Sequence, residues 1–163
     1  MPRLSAILVV RNEAAQLADC LAGLAGLADE IVVVDDESTD GTPEVARRFT
    51  DQILTRKLDR FGAQRQFALD HAAGDWVLSI DADERITPAL RSEIVRVLRD
   101  PGAADGYEIR REVFFLGRRL GHGGMGDERV LRLFRRTRAR FSDHAVHEHA
   151  LVEGQTGRLH GVL

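Results

Sequence analysis

The sequence has one cysteine, Cys20, in 163 residues, so no internal disulfide can form, which suits a reducing compartment. Cys20 falls on an apolar helical stripe and reads as a small core residue. Lysine is almost missing: every basic residue except Lys57 is arginine. Aromatic residues make up only 6% of the chain. No aromatic-rich platform or recognised motif accompanies the arginines, so nucleic acid is not an expected partner. No apolar run approaches the length needed to cross a bilayer; Ile31 to Val34 is typical. No leader peptide precedes the first strand-like segment, which gives the expectation of a cytoplasmic protein. Internal repeats and low-complexity segments are absent as well.

What is present fits one soluble globular domain, with 44% hydrophobic and 30% charged residues. The net charge of -3 conceals an asymmetry. Residues 1–106 carry 12 basic and 19 acidic side chains, whereas residues 107–140 carry 10 basic and 4 acidic. An arginine-rich stretch suits phosphate groups or an anionic membrane face, and equally an ordinary solvated surface.

Apolar strands and helical patterns alternate through the first hundred residues. Leu4 to Val10 is apolar almost throughout, as in a strand buried on both faces. A helical pattern follows at Leu17, Leu21, Leu24 and Leu27. Glu30 to Val34 reads as the second strand, ending in Asp35-Asp36. Thr42 reads as an N-cap with Pro43 at the first helical position, and Val45 and Phe49 as that helix's buried face. A short strand from Gln52 to Thr55, a helix from about Gly62 to His71 and a strand from Trp76 to Ile80 come next. Thr87-Pro88 then opens a helix with Leu90, Ile94, Val97 and Leu98 on one face. Strict alternation predicts an α/β fold: a mostly parallel central sheet with helices on both faces. After Gly106 the texture changes. Tyr107 to Leu120 reads as one long or two short strands, Gly121 to Gly126 as a loop, and Val130 to Phe134 as a strand. Phe141 to Leu163 is a polar, glycine-punctuated tail.

Open parallel sheets bind ligands outside the carboxyl ends of their strands. Three strands end there in polar side chains: Asn12-Glu13, Asp35-Asp36 and Asp81-Asp83. Asp81 and Asp83 are two apart, so in extended backbone both carboxylates point to one side. Two hard oxygen donors suit Mg²⁺ or Mn²⁺ together with phosphate oxygens. The bland alternative is a pair of loop carboxylates capping the next helix, and for Ser38 to Gly41 an ordinary turn.

Together, Ile7 to Glu13, Ile31 to Thr42 and Ala73 to Glu84 resemble glycosyltransferase family 2, the inverting enzymes with the GT-A fold. Arg132 to Arg136 and Val146-His147-Glu148 resemble a subgroup of lipopolysaccharide core and cell-envelope sugar transferases. The resemblance implies a metal-dependent transfer of a sugar from a UDP-sugar to a hydroxyl of a cell-envelope glycan or lipid-linked acceptor. It implies a nucleotide-sugar site formed by Val10, Arg11, Asn12, Glu13, Asp35, Asp36, Arg65, Asp81 and Ala82. Asp35 or Asp36 would hold the uridine, Asp81 would approach the ribose or the metal's shell, and Asp83 would bind Mn²⁺ or Mg²⁺. Glu148 is the candidate base, with His147 a metal or diphosphate contact. The cluster His144, His147, Glu148 and His149 is open also to a zinc site or a plain polar strand. Residues 1–106 would be the nucleotide-sugar-binding half, and residues 107–163 the acceptor-side strands and loops of the same domain. Arg110, Arg111, Arg118, Arg119, Arg135 and Arg136 would hold the chain near an anionic leaflet at the inner face of the membrane.

Two departures stand out. Glu37 occupies a position where the family usually has a small residue, and a positive φ there would strain it. Relatives usually continue past Leu163 through helices that build the acceptor side, so that side is expected to be incomplete. Rival readings are a non-catalytic nucleotide-sugar-binding domain, a nucleotidyltransferase and an Asp-x-Asp phosphatase. A nucleotidyltransferase usually carries a glycine-rich basic loop after the first strand, and Arg11-Asn12-Glu13-Ala14-Ala15 is not one. The phosphatase would place its motif on the first strand, not the fourth.

Overall fold

Strict alternation of apolar strands and amphipathic helices produces a seven-stranded sheet. The computed structural model describes residues 1–112, 114–115, 118–119, 128–142 and 149–163. The elements are β1 (Leu4–Val10), α1 (Ala14–Leu24), β2 (Glu30–Asp35), α2 (Thr42–Ala46), β3 (Ile53–Thr55) and α3 (Phe61–His71). They continue with β4 (Trp76–Ser79), α4 (Pro88–Arg99), β5 (Gly106–Arg110), β6 (Phe114–Phe115), β7 (Arg118–Arg119) and β8 (Arg129–Arg135). A 3₁₀ turn (Arg136–Arg138), β9 (Ala139–Phe141), β10 (Ala150–Val152) and β11 (Thr156–Val162) complete them.

The sheet order is β11-β5-β8-β4-β1-β2-β3. β1 pairs in parallel with β2 and β4, β2 with β3, and β5 with β11. β8 is antiparallel to both β4 and β5. The expected mostly parallel α/β sheet is therefore present, with one reversed strand inside it.

β1 explains why both faces are covered. Leu4, Ala6, Leu8 and Val10 pack with Leu17, Cys20, Leu21 and Leu24 of α1 and with Leu90, Ile94, Val97 and Leu98 of α4. Ile7 packs on the other face with Ala68 and Leu69 of α3 and with Phe134. Successive residues of a strand point to opposite faces, so a strand covered twice must be apolar throughout. Each leucine fully buried along α1 contributes roughly 1.5–3 kcal/mol. The Thr87 hydroxyl caps α4 by accepting from the Leu90 N–H at 3.3 Å.

Gly74 is required where β4 begins. A Cβ there would lie 2.6 Å from Ser5 Oγ and 2.9 Å from the Arg3 carbonyl oxygen. The Gly74 N–H donates to Ser5 Oγ at 2.8 Å, and the Ser5 hydroxyl donates to Glu30. This buried serine fixes the approach of β4 to β1.

Several expectations are corrected. α2 ends at Ala46, and Phe49 lies outside it with 36% of its surface exposed, so Phe49 is not its buried face. Thr42 does not cap α2. Its hydroxyl accepts from the Glu13 N–H at 2.8 Å, at the entrance to α1. Asp40 accepts from the Ala14 N–H at 3.2 Å, and Ser38 Oγ from the Asn12 N–H at 2.9 Å. The loop after β2 thus satisfies orphan amides at the start of another helix, not only its own. The tail is no mere polar tail: β11 forms one edge of the central sheet. Its Gly161 passes so close to α4 that a Cβ would lie 2.5 Å from the Leu90 backbone.

Candidate functional site

Register brings the ends of the parallel strands to one edge. Val10 pairs with Asp35, and Asp35 with Thr55. On the other side of β1, Ile7 pairs with Ser79, two residues before Asp81. Arg11, Asp36, Arg56 and Asp81 follow as the backbone leaves the sheet.

Asp35 and Asp36 are both only 3% exposed, yet their carboxylates are used differently. Asp36 is fully engaged. One oxygen accepts from Arg11 Nη1 at 2.9 Å and the other from the Leu58 N–H at 2.7 Å. Its own N–H donates to the Val10 carbonyl at 2.9 Å. Asp35 accepts from the Ser38 N–H through Oδ2 at 3.1 Å, while Oδ1 is buried with no hydrogen-bond partner. A buried carboxylate oxygen without a donor is costly, and a ligand N–H or hydroxyl would relieve it. Of the two aspartates, Asp35 is the one with a buried oxygen that has no donor.

The loop that follows is strained. Asn12 and Glu37 have φ of 54° and 47°. Asparagine tolerates the left-handed region, but for Glu37 it costs roughly 1–2 kcal/mol. Asn12 sits in the frame of the site, its Oδ1 accepting from the Thr39 N–H at 2.8 Å. The Glu13 carboxylate accepts from Gln16 Nε2 at 3.1 Å.

The Asp81 region is built on ion pairs. Asp81 Oδ1 accepts from Arg65 Nη2 at 2.7 Å, and Oδ2 from Arg132 Nη2 at 2.5 Å. Arg65 also donates to Ser79 Oγ at 3.1 Å. Arg132 Nη2 donates again to Glu84 Oε1 at 2.8 Å, and Arg111 Nε lies 2.9 Å from the same oxygen. Burial works against ionisation of Asp81, but Arg132 and Arg65 outweigh it and hold the carboxyl well below the usual range. Burial pushes Glu84 the other way, aided by the Asp81 charge and resisted by Arg132 and Arg111. Burial disfavours the Arg132 cation, and its two carboxylates more than restore it.

Asp81 and Asp83 do not share an extended strand. β4 ends at Ser79, and Ala82-Asp83 form a turn. The Glu84 N–H donates to the Asp81 carbonyl at 3.0 Å, and the Asp81 N–H donates to Glu84 Oε2 at 2.8 Å. Ala82 is buried in this turn, and Asp83 is exposed. Asp83 opens onto a cavity of about 500 Å³ lined also by Gln16, Arg85, Arg111 and Glu112.

These positions bear on a divalent metal. Each Asp81 oxygen accepts from a guanidinium, so a metal at Asp81 would share the carboxylate with Arg65 and Arg132. Asp83 offers an exposed carboxylate, which fits an ion that takes one or two protein carboxylates and completes its shell with phosphate oxygens. Among the described residues, no three His, Cys, Asp or Glu side chains group as a metal cage. His144, His147 and Glu148 lie outside the described residues.

The arginine-rich segment is occupied internally. Arg110 pairs with Glu112 at 3.0 Å and Arg111 with Glu84. Arg135 stacks 4.7 Å over the Trp76 ring and pairs with Asp105 at 3.6 Å. Arg136 Nε donates to the Gly74 carbonyl at 2.9 Å. Each of these four has a protein partner in the structure. The side chains of Arg118 and Arg119 lie outside the described residues. Arg132 and Glu84 had no assigned role in the sequence reading. Their signal was an arginine inside the apolar run Val130 to Phe134, since a charge in a buried strand needs a partner.

Comparison with known proteins agrees with this architecture. The family model described as Glycosyl transferase family 2 matches residues 5–150. The lipopolysaccharide core biosynthesis glycosyltransferase LpsC of Rhizobium meliloti is 33% identical over 160 residues, covering 94% of this chain and 59% of LpsC. An uncharacterized glycosyltransferase of Rickettsia felis is 35% identical over 94 residues, covering 58% of this chain and 33% of the relative. The chain therefore spans less than two thirds of the length of these relatives. Among solved structures, S. aureus TarS 1-349 superposes with a TM-score of 0.62 at 19% identity, over 87% of this chain and 51% of that one. The mannosyltransferase PcManGT from Pyrobaculum calidifontis, in complex with GDP-Man and Mn²⁺, gives a TM-score of 0.56 at 28% identity, over 68% and 36%.

Proposed function

The chain belongs to glycosyltransferase family 2 and has its GT-A fold, and on that premise we propose that it transfers a sugar from a UDP-sugar, with inversion, to a hydroxyl of a cell-envelope glycan or lipid-linked acceptor. The observation that carries the donor reading is the buried, unpartnered Oδ1 of Asp35 at the edge where β1, β2 and β4 converge. It matches the need of a base N–H or ribose hydroxyl for an acceptor. Arg11 and Asp36 fix the floor beside it.

In the transfer, the bond between the anomeric carbon and the diphosphate oxygen breaks as the acceptor oxygen bonds to the opposite face. The acceptor's proton passes to a carboxylate, for which Glu148 is the candidate, with His147 beside it in sequence. Asp83 would hold Mn²⁺ or Mg²⁺ at the mouth of the cavity. When bound, the ion supplies Lewis-acid neutralisation of the leaving diphosphate. Arg65 holds Asp81, two residues earlier in the chain, in place.

A GDP-sugar is the second reading, favoured by the 28% identity to PcManGT, whose structure holds GDP-Man and Mn²⁺. Both bases offer a ring N–H to Asp35, so competition between the nucleotides decides. Calorimetry with UDP and GDP, each with and without Mn²⁺, tests the proposal. It predicts tighter, Mn²⁺-dependent binding of UDP, abolished by Asp83→Ala. Equal binding with and without metal would remove the metal role, and preference for GDP would replace the donor. Turnover that persists at the wild-type rate in Glu148→Gln would exclude Glu148 as the base.

A further inference from the structure

We propose that Arg132 and Glu84 form a buried clamp whose task is to aim Asp83, making Arg132 a positioning residue of the donor site; this rests on the donor reading above. Arg132 stands in the middle of β8 between Leu131 and Leu133 and is 4% exposed. Its Nη2 donates to both Asp81 and Glu84, while its Nε is buried with no hydrogen-bond partner. For stability alone this is a poor solution, because an apolar residue in a buried strand avoids the desolvation of charge. The arginine's contacts all converge on one short turn.

That turn is tied at several points. Glu84 Oε2 accepts the Asp81 N–H, and the Glu84 N–H donates to the Asp81 carbonyl. The same carbonyl accepts from Cys20 Sγ at 3.3 Å, and Arg85 Nη1 donates to the Ala82 carbonyl at 2.9 Å. Asp81, Ala82 and Glu84 are thereby pinned, and Asp83 is the one residue of the turn that is exposed. Its direction follows from the pinning. The reversed strand β8 is what makes the clamp possible. It lies beside β4, pairing Leu78 with Leu133, and so sets Arg132 next to the end of β4. A residue from the arginine-rich later part of the chain thus fixes the geometry of the acidic motif.

The test uses Arg132→Lys, which keeps the charge but not the guanidinium that places Nη2 between Asp81 and Glu84, and Glu84→Gln, which keeps the shape but loses the charge. Two readouts are taken on the whole chain. The first is hydrogen exchange of the Asp81 and Glu84 amides without ligand. Exchange there should speed at least tenfold in both variants, with the amides of β2 unchanged. The second is UDP affinity with and without Mn²⁺. The gain on adding Mn²⁺ should fall at least tenfold in Arg132→Lys, while metal-free UDP affinity stays within twofold. A general structural role would lower both affinities together. Unchanged exchange, a parallel loss of both affinities, or no loss of either would each overturn the proposal. Should wild-type protein show no Mn²⁺-dependent gain, the metal role of Asp83 in the proposed function fails, and the exchange data alone still decide whether the clamp exists.

Discussion

The two acidic strand ends on either side of β1 solve opposite problems. At the end of β2, Asp35 keeps one carboxylate oxygen buried and unpartnered, although Asp36 beside it has a donor on each oxygen. At the end of β4, both oxygens of Asp81 are taken by Arg65 and Arg132, while Asp83 stands exposed. One end is a vacancy for a hydrogen-bond donor. The other is a rigid mount that holds up a single open carboxylate. Acids at a sheet edge are thus not equivalent, and the partners of each oxygen separate recognition from support.

Substitution at the two ends should break this contrast in opposite ways. Asp81→Asn leaves Arg132 buried without its full counter-charge, and loss of one partner of a buried pair costs about 3–5 kcal/mol. Chemical denaturation should show that loss for Asp81→Asn. Asp35→Asn should instead leave stability within about 1 kcal/mol of wild type, while weakening nucleotide binding about tenfold or more, the scale of a hydrogen bond to a charged group. Comparable destabilisation of both variants would erase the distinction.

A smaller effect sharpens the contrast through pH. The folded pKa of Asp81 lies below its ordinary value of 3.8, so its ion pairs contribute stability above that value. The contribution is lost as pH falls below the usual carboxylate range. Glu84 has the opposite sign: burial raises its pKa, so its charged form costs stability near neutrality and protonation relieves it. In metal-free protein, the gap in thermal midpoint between wild type and Asp81→Asn should be full at pH 7 and narrow below about pH 4. A gap that stays constant to pH 3 would mean that the ion pairs with Arg65 and Arg132 do not supply the stability. The smallest effect concerns Cys20, which is buried against the Asp81 turn with its thiol pushed up to about 12, chiefly by burial. Native protein should resist alkylation at neutral pH, and rapid labelling would show that the α1–β4 contact opens readily.

Much of the fold was legible because it rests on periodicity. Leu17, Leu21, Ile94 and Leu98 mark helix faces, and the unbroken apolar run of β1 marks a strand covered twice. β11 was not legible: Thr156 to Val162 carries two glycines, an arginine and a histidine, and becomes a strand through its pairing with β5 and its close passage over α4. Tertiary placement overrode local preference there. Thr42 was misassigned for a similar reason, since its sequence neighbours suggest an N-cap but its nearest orphan amide belongs to Glu13. At the site, the sequence pointed to the right edge but not to the roles. The Asp81-x-Asp83 spacing suggests two co-facing ligands only while the backbone stays extended, and Glu84 folds it into a turn. Glu37 is the exception: its unusual residue type signalled a strained φ in advance, and its φ is positive.

In the proposed nucleotide site, Asp35 Oδ1 is the acceptor that waits for a donor. Titration calorimetry of UDP in Mn²⁺ against wild type, Asp35→Asn and Asp36→Asn tests that role most directly. Asp35→Asn should lose at least tenfold in affinity with folding intact, and Asp36→Asn should lose affinity in step with its reduced stability. Wild-type affinity in a folded Asp35→Asn protein would contradict that role.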